Sequence, residues 1–200
     1  MTKQVYWFGE GQADGGSHLR HLLGGKGAEL AEMTRLGVRV PPGFTITTAA
    51  WEAWRAEGTL PPALWTEIVT ALGRLEGVLG RRLGDPTRPL LVSVRSGAQV
   101  SMPGMMETIL NLGMTAAVEA GMKHSPFAKD CRSRFKSMYR EVVGGLPPAD
   151  VLEQLRQAIM AVFQSWESPK AVEYRLINQI PDDCVTACTV QAMVFGNIGE

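Results

Sequence analysis

The chain is poor in the features that mark secreted, membrane-spanning or nucleic-acid-binding proteins. Only three of its 200 residues are cysteine, too few for a disulfide scaffold, so Cys131, Cys184 and Cys188 read as reduced thiols. Three residues separate Cys184 from Cys188 and no histidine lies near them, which argues against a zinc site. No apolar run reaches the roughly eighteen residues a membrane helix needs. The opening MTKQVYWFGEG has neither a secretory signal nor the Arg/Ser-rich character of an organellar leader, and the expected location is cytoplasmic. Net charge is also absent: 20 Lys and Arg balance 20 Asp and Glu. Basic pairs such as Arg81-Arg82 and the positive residues of 129–140 are isolated, reading as solvated helix faces rather than a nucleic-acid footprint. Of three histidines, His18 and His21 lack a companion acid or cysteine and read as surface or capping residues. His124 falls in an inter-helix loop and is assigned no role.

The two best-known nucleotide motifs are missing as well. A Walker A loop, GxxxxGK(S/T), would need glycine where Arg20 stands and Ser or Thr where Gly27 stands. Gly9-Glu10-Gly11 begins like a dinucleotide fingerprint, but Asp14 occupies the third glycine position and no strand clearly precedes it.

The most informative stretch present is 90–111, LLVSVRSGAQVSMPGMMETILN. Leu90, Leu91, Val92 and Val94 form a short apolar, β-branched run after the breakers Gly84, Asp85, Pro86 and Pro89, predicting a buried strand that delivers Arg95 at its end. Gly97, Ala98, Ser101, Pro103 and Gly104 then keep the backbone free of bulk. Amide groups there can approach an anion closely, Ser96, Ser101 and Thr108 add hydroxyls, and Arg95 supplies a planar cationic fork. A second element, LLGGKGAELAEM at 22–33, places Gly24, Gly25, Lys26 and Gly27 immediately before a helical pattern. Unpaired amides and the positive helix end attract anions there, and Lys26 adds a full charge.

With 45% hydrophobic residues, the chain can bury a core. Val38 onward reads as a turn and a strand carrying Phe44 and Ile46, after a helix closed by Gly37. Thr47 or Thr48 caps a helix that Gly58 stops, and Pro61-Pro62 opens another with an apolar stripe from Leu64 to Leu79. After Leu112 the pattern becomes nearly all helical, with starts at Thr115, Ser125-Pro126, Asp150 and Ser168-Pro169. Residues 184–195, CVTACTVQAMVF, return to strand character, predicting an edge or half-buried strand. Three sections follow: 1–111 with both phosphate elements, a helical section 112–182, and a return strand 183–200.

Four segments, LLGGKGAELAEM, VPPGFTITTAAW, LLVSVRSGAQVSMPGMMETILNLGM and VQAMVFGNIGE, resemble the amino-terminal nucleotide-binding region of the pyruvate, phosphate dikinase family, in its order and roughly its spacing. Phosphoenolpyruvate synthases and rifampicin phosphotransferases share the Lys, Arg and Gln landmarks. Their loop usually ends in a PDASFAGQ-like run, whereas SMPGMM here favours the dikinase branch. The resemblance implies an α+β, partial ATP-grasp-like fold with an inserted helical section, and ATP with Mg2+ as the ligand. It implies Lys26 and Arg95 as the catalytic cations on the polyphosphate, with Ser96, Gly97, Ser101, Gly104 and Thr108 in the covering loop. Gln191 and the backbone to Met193 would lie along the adenine base.

In that family, ATP, phosphate and pyruvate react through a phosphohistidine on a separate central domain, with a further pyruvate-binding domain; the parent is expected to be a homodimer. None of His18, His21 or His124 matches the histidine's motif. No metal ligand is assigned, the acids that hold magnesium being expected beyond Glu200, and Glu107 alone is insufficient. These 200 residues are therefore expected to be an amino-terminal piece unable to complete the reaction. A phosphoenolpyruvate synthase and a non-catalytic nucleotide-binding module remain the alternatives. Glu29 stands where asparagine is frequent in relatives, and Gln99-Val100 replaces small or basic residues.

Overall fold

A computed structural model describes residues 2–123, 125–181 and 183–196, so His124 and the Gly199-Glu200 end lie outside the described residues. Its centre is a six-stranded sheet in the order β2-β1-β3-β8-β6-β7, formed by β1 (Val5–Gly9), β2 (Gln12–Ala13), β3 (Gly43–Ile46), β6 (Val92–Ala98), β7 (Thr108–Leu112) and β8 (Thr186–Ala192). Neighbouring strands are antiparallel. A separate parallel pair joins β4 (Arg82–Leu83) to β5 (Pro89–Leu90). Seven helices among the described residues complete this α+β architecture: α1 (Arg20–Arg35), α2 (Thr48–Glu57), α3 (Pro62–Leu79), α4 (Ala116–Gly121), α5 (Pro126–Val143), α6 (Val151–Gln164) and α7 (Pro169–Ile177).

Strand alternation sorts the side chains of the sheet into two unlike faces. One carries Val5, Trp7, Phe44, Ile46, Val92, Val94, Ile109 and Val190, all buried in the main hydrophobic cluster. Residues of α3, α5, α6 and α7 join the same cluster, so the helical section 112–182 and the sheet share one core. The Trp51 indole of α2 donates to the Phe163 carbonyl of α6 at 3.1 Å, tying the first half of the chain to the helical section. The opposite face carries Tyr6 and Phe8 on β1 but is mainly polar across β3, β8 and β6. The register aligns Thr45, Thr189 and Arg95 in one row with Thr108, and Gly43, Gln191 and Ser93 in the next. α1 packs over this face, where a Cβ on Gly27 would lie 2.7 Å from the Thr45 side chain.

Local signals fix the helix ends. Thr47, Thr115, Ser125, Asp150 and Ser168 each accept a hydrogen bond from an amide of the first turn, and Pro62, Pro126 and Pro169 open their helices. Gly58, Gly80 and Gly144 close three of them in the left-handed conformation.

Three expectations are corrected. β8 is neither an edge nor half-buried: it lies between β3 and β6, and all seven of its residues are buried. Its length and apolar alternation fit either placement, and only pairing with distant strands distinguishes them. For the same reason Arg95 is not at a strand end. Pairing from Val92↔Ala192 to Ala98↔Thr186 extends β6 three residues beyond it. Finally, Gly9-Glu10-Gly11 does follow a strand, and it is the β1–β2 hairpin turn, with Glu10 and Gly11 both at positive φ.

One glycine sets the relation between α1 and the sheet. Gly24 interrupts α1 at φ 66°, and a Cβ there would fall 1.5 Å from the Gly97 carbonyl oxygen. The backbone turn before Lys26 is thus pressed against β6, a contact only glycine permits. Gly24→Ala is expected to lose roughly 2–5 kcal/mol of stability through combined strain and overlap. Chemical denaturation measures this, and an unchanged midpoint would contradict the packing.

Candidate functional site

Past Gly24 the helix resumes at once, so Lys26 lies in a first helical turn rather than in a loop before it. Its ammonium donates to the Ser96 carbonyl at 2.7 Å. Across the polar face, the Arg95 Nη2 donates to Gln191 Oε1 at 2.6 Å, and the Gln191 amide nitrogen donates to the Pro41 carbonyl at 2.9 Å. Gln191 is held at both ends, which fixes its amide orientation and presents its oxygen to the guanidinium. The Arg95 Nε is buried with no partner. Among the described residues, neither cation is paired with a carboxylate.

The electrostatics follow from that imbalance. Burial lowers the pKa of Lys26, and the nearby Arg95 charge lowers it further. Burial alone lowers that of Arg95. Burial likewise pushes the Cys188 thiol up to about 12, so it stays neutral beside Lys26 and supplies no counter-charge. Two partly desolvated cations therefore share one site, an arrangement that an incoming anion stabilises.

These groups open into a cleft of about 510 Å³. Lys26, Arg95, Ser96, Gly97, Ser101, Gly104 and Thr108 all line it, so the structure brings together both sequence-predicted cations and the predicted loop. Met102, buried, anchors the 99–107 connection between β6 and β7, while Ser101, Pro103 and Gly104 remain exposed. Gly104 adopts φ 74°, and a Cβ there would meet nothing within 4 Å, so its requirement is conformational rather than steric. Ser96 contributes differently from expectation. Alternation turns its hydroxyl to the face opposite Arg95, and its carbonyl is what meets Lys26.

Gln191 and Met193 are not in the lining of this cleft. The Gln191 side chain is engaged by Arg95 and Pro41. The amides of Ala192 and Met193 donate to the Pro42 and Leu91 carbonyls, so the N–H groups expected to meet a base edge are already used. A strand pattern alone carries no sign of such cross-sheet partners.

Sequence reading gave Arg20 no binding role and took Glu29 and Gln99 as family departures whose side chains touch no ligand contact, yet all three line the cleft. Arg20 pairs with Glu29 at 2.6 Å and donates to the Gln99 carbonyl at 3.5 Å, while the Gln99 amide donates to the His21 carbonyl at 3.2 Å. The spacing of Arg20 and Glu29 gave no pairing signal because it places them on opposite faces of a continuous helix, and the break at Gly24 between them permits the pair. Glu107 is committed elsewhere, to Lys170 at 2.5 Å. Among the described residues, no group of three or more His, Cys, Asp or Glu can hold a metal ion, and no described helix is long and apolar enough to cross a membrane.

Removing the burden of an unmatched charge should be visible in stability. Lys26→Met is expected to raise stability by about 1 kcal/mol, or about 2–4 °C in unfolding midpoint. Because the folded-state pKa is depressed, the charged folded form is penalised at lower pH and relieved as pH rises toward the ordinary lysine value. Wild type should thus gain stability over that alkaline window relative to Lys26→Met. Conversely, Gln191→Leu leaves the Arg95 fork without its acceptor and should cost about 1–3 kcal/mol. Parallel thermal scans across pH test both, and equal pH profiles or an undiminished Gln191→Leu protein would count against this electrostatic picture.

Comparison with known proteins points to one family. The family model described as "Pyruvate phosphate dikinase, AMP/ATP-binding domain" matches residues 20–64 and 52–199. Pyruvate, phosphate dikinase 2 of Oryza sativa subsp. japonica is 42% identical, over all of this chain and 28% of its own length. Pyruvate, phosphate dikinase 2 of Zea mays is 41% identical with the same coverage, and the chloroplastic dikinase of Flaveria trinervia is 41% identical over 99% of this chain and 26% of its own. The chain therefore spans little more than a quarter of the length of these curated relatives.

Proposed function

We propose, since this chain belongs to the pyruvate phosphate dikinase AMP/ATP-binding domain family, that its polar sheet face and 99–107 loop form the polyphosphate grip of a dikinase's ATP site. The observation that carries this reading is the unmatched pair of cations, Lys26 and Arg95, beside a glycine-bearing loop in one cleft. Phosphoryl transfer asks a protein mainly for positioning and charge neutralisation. In the grip, Arg95 offers the edge of its guanidinium that Gln191 does not engage, while Lys26 exchanges the Ser96 carbonyl for a phosphate oxygen. Amides from Gly97 to Thr108 cover the phosphates. Gln191 keeps Arg95 aimed, and the backbone from Gln191 to Met193 lies on the base side of the site.

The parent reaction under this proposal interconverts ATP, phosphate and pyruvate with AMP, diphosphate and phosphoenolpyruvate by way of a phosphohistidine. His18 and His21 are exposed on the α1 side, and neither is assigned that role. Magnesium would arrive with the nucleotide. The described residues do not fit a resident ion, because Glu29 and Glu107 are each paired with a cation, and no step is assigned to one. The 200 residues alone are not expected to form phosphoenolpyruvate.

Calorimetric titration with ATP tests the grip. Saturable binding is expected, weakened on the order of tenfold or more by Lys26→Ala and by Arg95→Ala in variants with an unchanged circular dichroism spectrum. Binding unaffected by both substitutions would reject the cleft as the phosphate site.

A further inference from the structure

We propose that Arg20 is a third phosphate-binding cation, held in reserve by Glu29, and that Glu29 thereby sets the affinity of the cleft for polyphosphate. The inference rests on the polyphosphate reading of the same cleft and adds a residue pair to it.

The two floor cations are partly buried and, among the described residues, lack carboxylate partners, whereas Arg20 and Glu29 sit at the open rim with side chains 49% and 61% exposed. Their single 2.6 Å contact, Arg20 Nη2 to Glu29 Oε1, is solvent-screened and therefore weak. The guanidinium's other arm is tethered. Arg20 Nη1 reaches the Gln99 carbonyl at 3.5 Å, and a Cβ on Gly25 would lie 2.9 Å from that same nitrogen. Arg20 thus lies over the start of the resumed helix, between the Lys26 turn and the phosphate loop. The Gln99 amide returns the contact by donating to the His21 carbonyl at 3.2 Å. This reciprocal clasp fixes where the guanidinium sits while leaving its Glu29-facing edge exchangeable.

A carboxylate is a poor companion in a cleft that receives a polyanion. Among the residues lining the cleft, Glu29 is the one acid. Its pairing with Arg20 satisfies the rim while the cleft is empty. When a terminal phosphate enters, the guanidinium can trade one carboxylate oxygen for a phosphate oxygen, a substitution between like acceptors. Glu29 then faces solvent, where its charge is well hydrated. The exchange makes the cleft selective for a ligand long enough to reach the rim from the Lys26 and Arg95 floor. A tripolyphosphate satisfies that reach better than orthophosphate.

The test is a double-mutant cycle read by calorimetry, with inorganic tripolyphosphate and with ATP as separate probes. Arg20→Ala should weaken tripolyphosphate on the order of tenfold, and Arg20→Lys should lose less because it keeps the charge. Glu29→Gln should tighten binding by roughly two- to fivefold in the presence of Arg20, and by clearly less in the Arg20→Ala background, where only screened repulsion of the polyanion is relieved. Orthophosphate binding should respond to neither. If Arg20→Ala binds tripolyphosphate as wild type does, or if Glu29→Gln tightens binding equally without Arg20, the reserve role is wrong. Folded wild type that binds neither probe would instead reject the polyphosphate reading of the whole cleft.

Discussion

Two positive charges held on one face of a β-sheet, without a negative charge to match them, are the constraint around which this structure is arranged. Lys26 comes from a helix and Arg95 from a strand, 69 positions later in the chain numbering. Their mutual repulsion and burial both favour moving apart or losing a proton. The fold prevents separation by rigid means. The Gly24 turn is pressed onto Gly97, Gly27 lies against Thr45, and Gln191 holds the Arg95 fork from the next strand. Each contact belongs to backbone, to a buried strand side chain or to one held at both ends, which is the kind of support that preorganises a binding site.

The division of the sheet into unlike faces explains how a small protein supports such a site. The apolar face joins α3, α5, α6 and α7 in one cluster that includes Phe44, Phe135, Phe163 and Trp166. Stability resides there. The opposite face is free to carry Thr45, Thr189, Ser93, Arg95 and Gln191, residues that contribute little to a hydrophobic core but supply the polar groups beside the cleft. Burial of β8 on both faces matters to both functions, since the same strand contributes Val190 to the core and Gln191 to the site.

Much of this was legible from local sequence. Gly37, Thr47, Gly58, Ser125-Pro126, Asp150 and Ser168-Pro169 act within a single turn of backbone, so their roles could be read without knowing the fold. The convergence of Lys26, Arg95 and the small-residue loop on one cleft was anticipated from glycine-flanked cations taken together with the family resemblance of their segments. What escaped depends on partners far away in the chain. The central position of β8, the extension of β6 past Arg95, the reversal of the Ser96 hydroxyl and the capture of Gln191 by Pro41 all arise from cross-strand register. The Arg20 and Glu29 pair escaped for a different reason: a continuous helix would hold the two on opposite faces, and the break at Gly24 is what lets them meet.

The most direct measurement of the central claim is the side-chain NMR titration of Lys26, followed in the free protein and with saturating ATP. The account predicts a Lys26 pKa below the ordinary lysine value in the free protein, moving upward when the polyphosphate supplies the missing negative charge. A Lys26 that titrates as an ordinary exposed lysine, and that ATP leaves unmoved, would contradict it.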